Sequence, residues 1–376
     1  MTRRRLPIGI QTFRQIREGD YYCVDKTAHL ARLVDEAKHY VLSRPRCFGK
    51  SLLLDTLKEL FEGNEPLFRG LAIHGGWDWS VRHPVLRLSF GGGRFRREDD
   101  VPAHVAGQLE MLEKRAGIAP RPAAASIRFR RLVRELHERT GRRVVVLVDD
   151  YDKPVLDLLD APTACRANRD FLCGLYSVVK ECDAHVHFTL LAGVSRFSTG
   201  SIFSGLNNLI DITLDSSFSG ICGYTDADLD AVFAPELPGL DRDEIRDWYG
   251  GYAWRGEAVC NPFDVLHLFD RRDFGPWWFD AGVPAFLGEM LIERGLDPAA
   301  VDGMICRRSM LSYFDVDDIV METLLFQTGC LAITGTEDLG GETLYRLGYP
   351  NREVRQSLNE RLLRAAVPDA SRQEDA

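Results

Sequence analysis

The stretch that most constrains this chain is the loop Ser43-Arg44-Pro45-Arg46-Cys47-Phe48-Gly49-Lys50-Ser51, set between an apolar strand and an amphipathic helix. His39-Tyr40-Val41-Leu42 before it reads as a short buried strand, and Leu52, Leu53, Leu54, Leu57, Leu60 and Phe61 after it recur at helical spacing. A loop ending in Gly-Lys-Ser at such a junction has the form of the end of a phosphate-binding loop. Gly49 lets the backbone approach an anion, and the free N–H groups that open the helix point at it. Lys50 reaches the β and γ oxygens, and the Ser51 hydroxyl is offered to Mg²⁺. The strict pattern has another glycine where this chain has Arg44. On the motif alone, a plain strand–turn–helix corner stays open as the alternative.

A second stretch narrows that choice. Val144-Val145-Val146-Leu147-Val148 is a continuous β-branched and aliphatic run that ends in Asp149-Asp150-Tyr151-Asp152-Lys153-Pro154. Such a run suits the centre of a parallel sheet covered on both faces. Ligands of open α/β sheets bind at the carboxyl ends of the strands, where these acids fall. Carboxylates there can hold a Mg²⁺ that bridges two phosphates and can polarise an attacking water. A buried strand followed by a polar turn would look the same in isolation. About 100 residues after a Gly-Lys-Ser loop, the pair of stretches points to a nucleotide triphosphatase core.

Composition bounds the rest. The 376 residues provide material for two or three domains at about 150 residues each. A net charge of −9 argues against broad attraction to nucleic acid or membrane and leaves room only for local basic patches. No apolar run approaches the ~20 residues that span a bilayer, and Leu6-Pro7-Ile8-Gly9-Ile10 is too short for a signal-peptide core. The nine cysteines contain no CxxC pair, which suits reduced thiols and a cytoplasmic location.

Along the chain, Ile10, Phe13 and Ile16 mark a short helix, and Thr27 is placed as the N-cap of a helix carrying Leu30, Leu33 and Val34. Val85 to Phe90 reads as the second strand, Val105 to Leu112 and Ser126 to Arg139 as helices, and Phe171 to Val179 as a helix returning the chain to His185–Ala192. The sheet therefore has at least four strands, with helices between them. His185 and His187 share one face of that last strand, which invites a metal reading that lacks a third ligand nearby. Ser195, just past the strand, is placed to sense a γ-phosphate, or to serve a turn of its own.

The ordered phrases resemble a bacterial AAA-ATPase-like family, related to archaeal and STAND-type ATPases. They run from Leu6-Pro7-Ile8-Gly9-Ile10 and Val24-Asp25-Lys26-Thr27 through Arg44–Leu52, Val148–Pro154 and Gly193–Ser198 to Cys222-Gly223-Tyr224-Thr225. Later matches are Trp248–Tyr252, Asn261-Pro262-Phe263, Phe326–Gly329 and Leu347–Val354. The resemblance implies an α/β P-loop NTPase fold, AAA-like, with a mainly parallel sheet over residues 1–225. It further implies a helical lid over 226–300, a winged-helix-like domain over 301–366 and a disordered tail over 367–376. Arg46, Cys47, Phe48, Gly49, Lys50, Ser51 and Leu52 are expected to contact ATP, with Tyr252 near the base or the lid hinge. Ser51 and Asp149 are the Mg²⁺ ligands, and Lys50, Asp150 and Ser195 carry the chemistry.

Three departures bear on that expectation. Members usually carry Arg in place of Cys47, and an Asp-Glu pair in place of Asp149-Asp150, so the shorter Asp150 reaches an attacking water less well. Many members continue into a PD-(D/E)XK nuclease domain, for which no pattern follows Pro350-Asn351-Arg352 here. The expected protein is a slow Mg²⁺-dependent ATPase switch working as a homo-oligomer or with an effector. The alternative is a non-hydrolysing sensor or a DNA-binding adaptor for a separate nuclease. Weak DNA binding would then fall to Arg346, Arg352, Arg355, Arg361 and Arg364, a patch interrupted by Glu353 and Glu360.

Overall fold

A computed structural model describes residues 3–159, 161–196, 202–279, 302–312 and 320–366. The expectations for the end of the helical region up to residue 300, for the tail after 366 and for Phe197 and Ser198 lie outside the described residues.

The first half alternates strand and helix. Helices α1 (Phe13–Glu18) and α2 (Thr27–Glu36) precede β1 (His39–Ser43), α3 (Lys50–Phe61) and β2 (Val85–Ser89). Then come α4 (Asp100–Arg115), α5 (Ala125–Thr140), β3 (Val144–Asp149), α6 (Lys153–Leu156), α7 (Pro162–Glu181), β4 (Val186–Gly193) and β5 (Ile210–Asp211). The cap of α2 differs from expectation. Thr27 is its first helical residue, and the Asp25 carboxylate accepts from the Thr27 N–H at 2.9 Å and from its hydroxyl at 2.6 Å. A carboxylate two residues earlier takes up the free N–H of Thr27, so that Thr27 opens the helix instead of capping it.

The five strands form one parallel sheet in the order β2-β3-β4-β1-β5. β3 is buried along its whole length, as its unbroken apolar run requires when helices cover both faces. Each such Val or Leu removed from water stabilises the fold by about 1.5–3 kcal/mol. Chain order and sheet order diverge around β1: the chain leaves it for the far edge at β2, returns through β3 and β4, then crosses to β5. Loops leaving β1, β3 and β4 thus converge at one carboxyl edge.

Three further helices follow, α8 (Asp226–Val232), α9 (Arg242–Tyr249) and α10 (Pro262–Arg271). They close a small apolar core of Leu229, Phe233, Ile245, Tyr249, Val265 and Leu268, into which Tyr22 is inserted from the N-terminal segment. The last region comprises β6 (Ile305–Arg307), α11 (Arg308–Ser312), α12 (Met321–Thr328), β7 (Ala332–Leu339), β8 (Glu342–Gly348) and α13 (Arg352–Ala366). Its three strands are antiparallel in the order β6-β8-β7. In the β7–β8 hairpin, Gly340 and Gly341, both at positive φ, make a two-residue turn that carries the pairing out to Leu339 and Glu342.

That last region packs directly on the loop after β1. A Cβ on Gly329, at the end of α12, would lie 2.8 Å from the Pro45 ring, so only glycine allows this approach. The Gln327 side chain accepts from the Arg196 N–H at 3.0 Å, and the Trp278 indole N–H donates to the Arg46 carbonyl at 2.8 Å.

Candidate functional site

The site grows out of the loop between β1 and α3. Gly49 caps α3 at φ 95, with no side chain on the first-turn N–H groups. Cys47 also has positive φ, at 65. Positive φ at both, with Phe48 between them, is the backbone pattern of an anion-binding concavity. Arg44, where the strict motif has glycine, points away from it. Its guanidinium donates to the carbonyls of Ser43, Thr213 and Phe218 and lies 4.0 Å from the centre of the Trp254 ring. Burial lowers its pKa to about 10. Arg44 therefore ties the loop to the segment after β5, and its position calls for no positive φ.

Lys50 is 5% exposed, and its ammonium donates to the carbonyls of Arg44 and Pro45 at 3.0 and 2.9 Å. The Ser51 hydroxyl donates to Asp149 Oδ1 at 3.1 Å. A hydroxyl and a carboxylate so placed are hard oxygen donors of the kind Mg²⁺ takes alongside phosphate oxygens and water. The residues therefore fit the metal that the motif implies. Asp150 has positive φ, at 50, and its Oδ2 would lie 2.7 Å from a Cβ on Gly91, so the glycine at the end of β2 leaves room for it. Burial raises the Asp150 pKa and neighbouring Asp149 adds to this, while Lys50 opposes it. Non-glycine residues at positive φ are costly and cluster at functional sites; here Cys47 and Asp150 line the same cavity.

That cavity measures about 450 Å³, within the range of small-molecule sites. Arg46 through Leu52 line one end of it. The far end is walled by Pro7, Gly9 and Ile10 from the N-terminal segment and by Pro262, Phe263 and Leu266 from the start of α10. A 2.6 Å ion pair between Lys26 and Asp228 joins this wall to α8.

Two of the residues expected to contact ligand lie behind the cavity wall. Ser195 is fully buried; its hydroxyl donates to Asp152 Oδ2 at 2.7 Å, and its carbonyl accepts from Tyr151 and Ser43. Tyr252 is 1% exposed and meets Phe48 edge to face at 4.8 Å, beneath the loop. The two histidines expected on one strand go separate ways, because β4 starts only at Val186: His185 ends the turn before it and faces His137, and His187 stacks on His83 at 4.0 Å, with burial lowering the pKa of His187 to about 4. Among the described residues no cluster of three or more His, Cys, Asp or Glu could hold a metal.

Sequence reasoning missed two groups. Asp152 Oδ2 accepts from the N–H groups of Val194 and Ser195 as well as the Ser195 hydroxyl, while its Oδ1 is buried without a hydrogen bond. Burial raises its pKa, and the Ser195 donors pull it back. Its signal was visible as the third acid of Asp149-Asp150-Tyr151-Asp152. Arg87, on β2, donates to Asp149 Oδ2 and Asp55 Oδ1, each at 2.9 Å. Its signal was an arginine inside an otherwise apolar strand.

The arginines of the C-terminal patch are engaged within the chain. Arg346 pairs with Glu337, Arg355 pairs with Asp302 at 2.9 Å, and Arg352 and Arg361 lie over Trp248 and Phe279. The Arg364 side chain lies outside the described residues. No helix among the described residues is long and apolar enough to cross a membrane.

Comparison with known proteins agrees with the geometry. A family model described as a predicted AAA-ATPase matches residues 7–203, which take in the loop, all three strand ends around it and the N-terminal wall of the cavity. A relative from Azotobacter chroococcum mcd 1, described as an uncharacterized protein in the vnfD 5' region, is 56% identical over 370 residues. The match covers 98% of this chain and 72% of the relative. With a family model matched over more than half its length and a relative alike nearly end to end, this chain belongs to the predicted AAA-ATPase family, which implies nucleotide binding.

Proposed function

We propose that the chain binds ATP with Mg²⁺ and hydrolyses it slowly, using the turnover as a conformational switch. The observation that carries this reading is the convergence of Lys50, Ser51 and Asp150 on one end of a cavity whose other end is largely apolar, with Asp149 accepting a hydrogen bond from Ser51 just behind that end. Mg²⁺ would be held by Ser51 and Asp149, where it would neutralise charge on the β- and γ-phosphates. The free N–H groups of α3 bind the phosphates, and Lys50 exchanges its two loop carbonyls for phosphate oxygens. Asp150 orients the attacking water, its pKa raised by burial. Asp152 and Ser195 act as positioning residues that hold the β4 end against the loop.

Residues 226–279 are read as the lid and 302–366 as a winged-helix arrangement, with β6, α11, α12 and the β7–β8 hairpin in the order such domains use. The switch reading draws on Lys50 and the C-terminal region sharing one stretch of loop. The carbonyls of Arg44 and Pro45 hold the ammonium, while Pro45 packs against Gly329 of the C-terminal region and the Arg46 carbonyl accepts from Trp278 at the end of the lid. The second reading, a non-hydrolysing sensor, is favoured by Asp150, one methylene shorter than the glutamate that the family resemblance leads one to expect there.

One set of assays separates the two. At about 100-fold excess over Kd, Mg-ATP should stabilise the fold by about 2.7 kcal/mol, a shift of a few degrees in Tm, and Lys50→Ala should remove it. Turnover in the wild type that falls about 100-fold in Asp150→Ala but persists in Asp150→Glu supports the ATPase. A Tm shift without turnover supports the sensor. No shift at all defeats both.

A further inference from the structure

The Asp149 carboxylate already has a cation of the chain beside it. Asp149 is 3% exposed, and its two oxygens have separate partners: Oδ1 takes the Ser51 hydroxyl and Oδ2 takes the Arg87 guanidinium. Arg87 cannot give itself wholly to Asp149, because its other arm is held by Asp55 Oδ1 on α3, one turn after Ser51. Asp55 is in turn fixed from behind, its Oδ2 accepting the Phe13 N–H at 2.8 Å. The row Asp149–Arg87–Asp55–Phe13 thus runs from the phosphate end of the cavity to the helix that follows its N-terminal wall. A buried carboxylate without a compensating cation is costly, and a guanidinium shared between two carboxylates supplies that compensation while remaining divisible.

We propose that Arg87 is a built-in counter-cation for Asp149 that sets how tightly the site takes Mg²⁺, with Asp55 holding it partly back so that the metal can enter. This inference rests on the Mg-ATP reading above. When the divalent ion binds beside Ser51 and Asp149, the guanidinium carries less of the Asp149 charge and more of that of Asp55. Arg87 is a positioning residue: it acts through Asp149 and touches neither nucleotide nor the reacting atoms.

Opposite signs for the two partners make the test specific. Mg²⁺ is titrated at fixed, saturating ATP and the midpoint is read from Tm and from calorimetry, for the wild type and for Arg87→Met, Arg87→Lys and Asp55→Asn. Arg87→Met should lower the Tm of the metal-free protein yet tighten the apparent Mg²⁺ affinity about tenfold, the order expected from removing one charge several Å from a dication in water. Asp55→Asn keeps an acceptor for the Phe13 N–H but releases Arg87 to Asp149, and should weaken Mg²⁺ binding about threefold. Arg87→Lys keeps the charge but not the fork, so its Mg²⁺ midpoint should stay within about twofold of the wild type while metal-free stability falls. It carries the test with Asp55→Asn if Arg87→Met does not fold. A merely structural arginine would lower Tm in its variants and leave every Mg²⁺ midpoint unchanged, which would overturn the proposal, as would weaker Mg²⁺ binding in Arg87→Met. If wild-type protein binds ATP with no dependence on Mg²⁺, the Mg-ATP reading itself falls and this inference with it; unchanged midpoints in a Mg²⁺-dependent protein sink the inference alone.

Discussion

The carboxyl edge of the parallel sheet and the C-terminal three-stranded region both concentrate charge, but they treat it in opposite ways. At the sheet edge, Lys50, Asp149, Asp150 and Asp152 are withdrawn from bulk water around a cavity, and the pKa values of the last two are raised by burial. On the surface of the C-terminal region, by contrast, Arg346 pairs with Glu337 and Arg355 with Asp302. Exposed pairs of that kind contribute about 0–1 kcal/mol each, whereas charge held in a dry cavity is strongly constrained. Charge kept at a cost around an open volume marks the place where a ligand can repay it. Charge already paired in water marks no such place.

The largest effect that would break this contrast lies at Asp152. Asp152→Ala leaves the Val194 and Ser195 N–H groups and the Ser195 hydroxyl buried without an acceptor, and should cost about 3 kcal/mol in urea denaturation. Ser195→Ala, which removes one donor, should cost about 1 kcal/mol. Equal, small losses for the two would mean that Asp152 is not the anchor of the β4 end.

A middle-sized effect belongs to the seam between the regions. Asp264 on α10 is fully buried with neither oxygen hydrogen-bonded among the described residues, and its pKa is raised well above the usual carboxylate range, first by burial and then by Glu353 of α13. A raised folded-state pKa contributes stability that is present below the unfolded value, near 3.8, and lost as pH rises through the folded value. Asp264→Asn should therefore gain stability relative to the wild type as pH rises above the ordinary carboxylate range. Each unit of upward shift removed is worth about 1.4 kcal/mol. Thermal melts of both proteins across pH check this; parallel pH profiles would show that the ionisation of Asp264 does not burden the seam.

The smallest effect concerns DNA. With Arg346, Arg352, Arg355 and Arg361 engaged within the chain, duplex binding should be weak, with a log–log salt slope shallower than about −2 between ~50 and ~200 mM salt. A slope near −4.5, as for about five phosphate contacts, would mean that those side chains leave their partners and that the surface charge is functional after all.

Much of the site was legible because its logic is local. A phosphate loop needs its residues at fixed spacing between one strand and one helix, and the acids at the end of β3 follow an apolar run that itself predicts a central strand. The loop and the acidic strand could therefore be read along the chain. Extents were less legible: α7 begins at Pro162, well before the apolar positions from Phe171 suggested, because a helix can extend where its first turns bury little.

What the sequence by itself determined is the parallel α/β core, the Gly-Lys-Ser loop between strand and helix and the identity of the acids beside it, since strand period, helix period and motif spacing are properties of neighbouring residues. What only the tertiary structure decided is which partners those residues take. It turned Arg44 outward to a segment about 170 residues away, withdrew Ser195 behind Asp152, and set Tyr252 under Phe48. It also brought Arg87, Asp55 and Asp149 together from β2, α3 and β3. The physical reason is that a buried charge or donor must find its complement wherever the fold brings one within about 3 Å, and sequence separation carries no record of that distance.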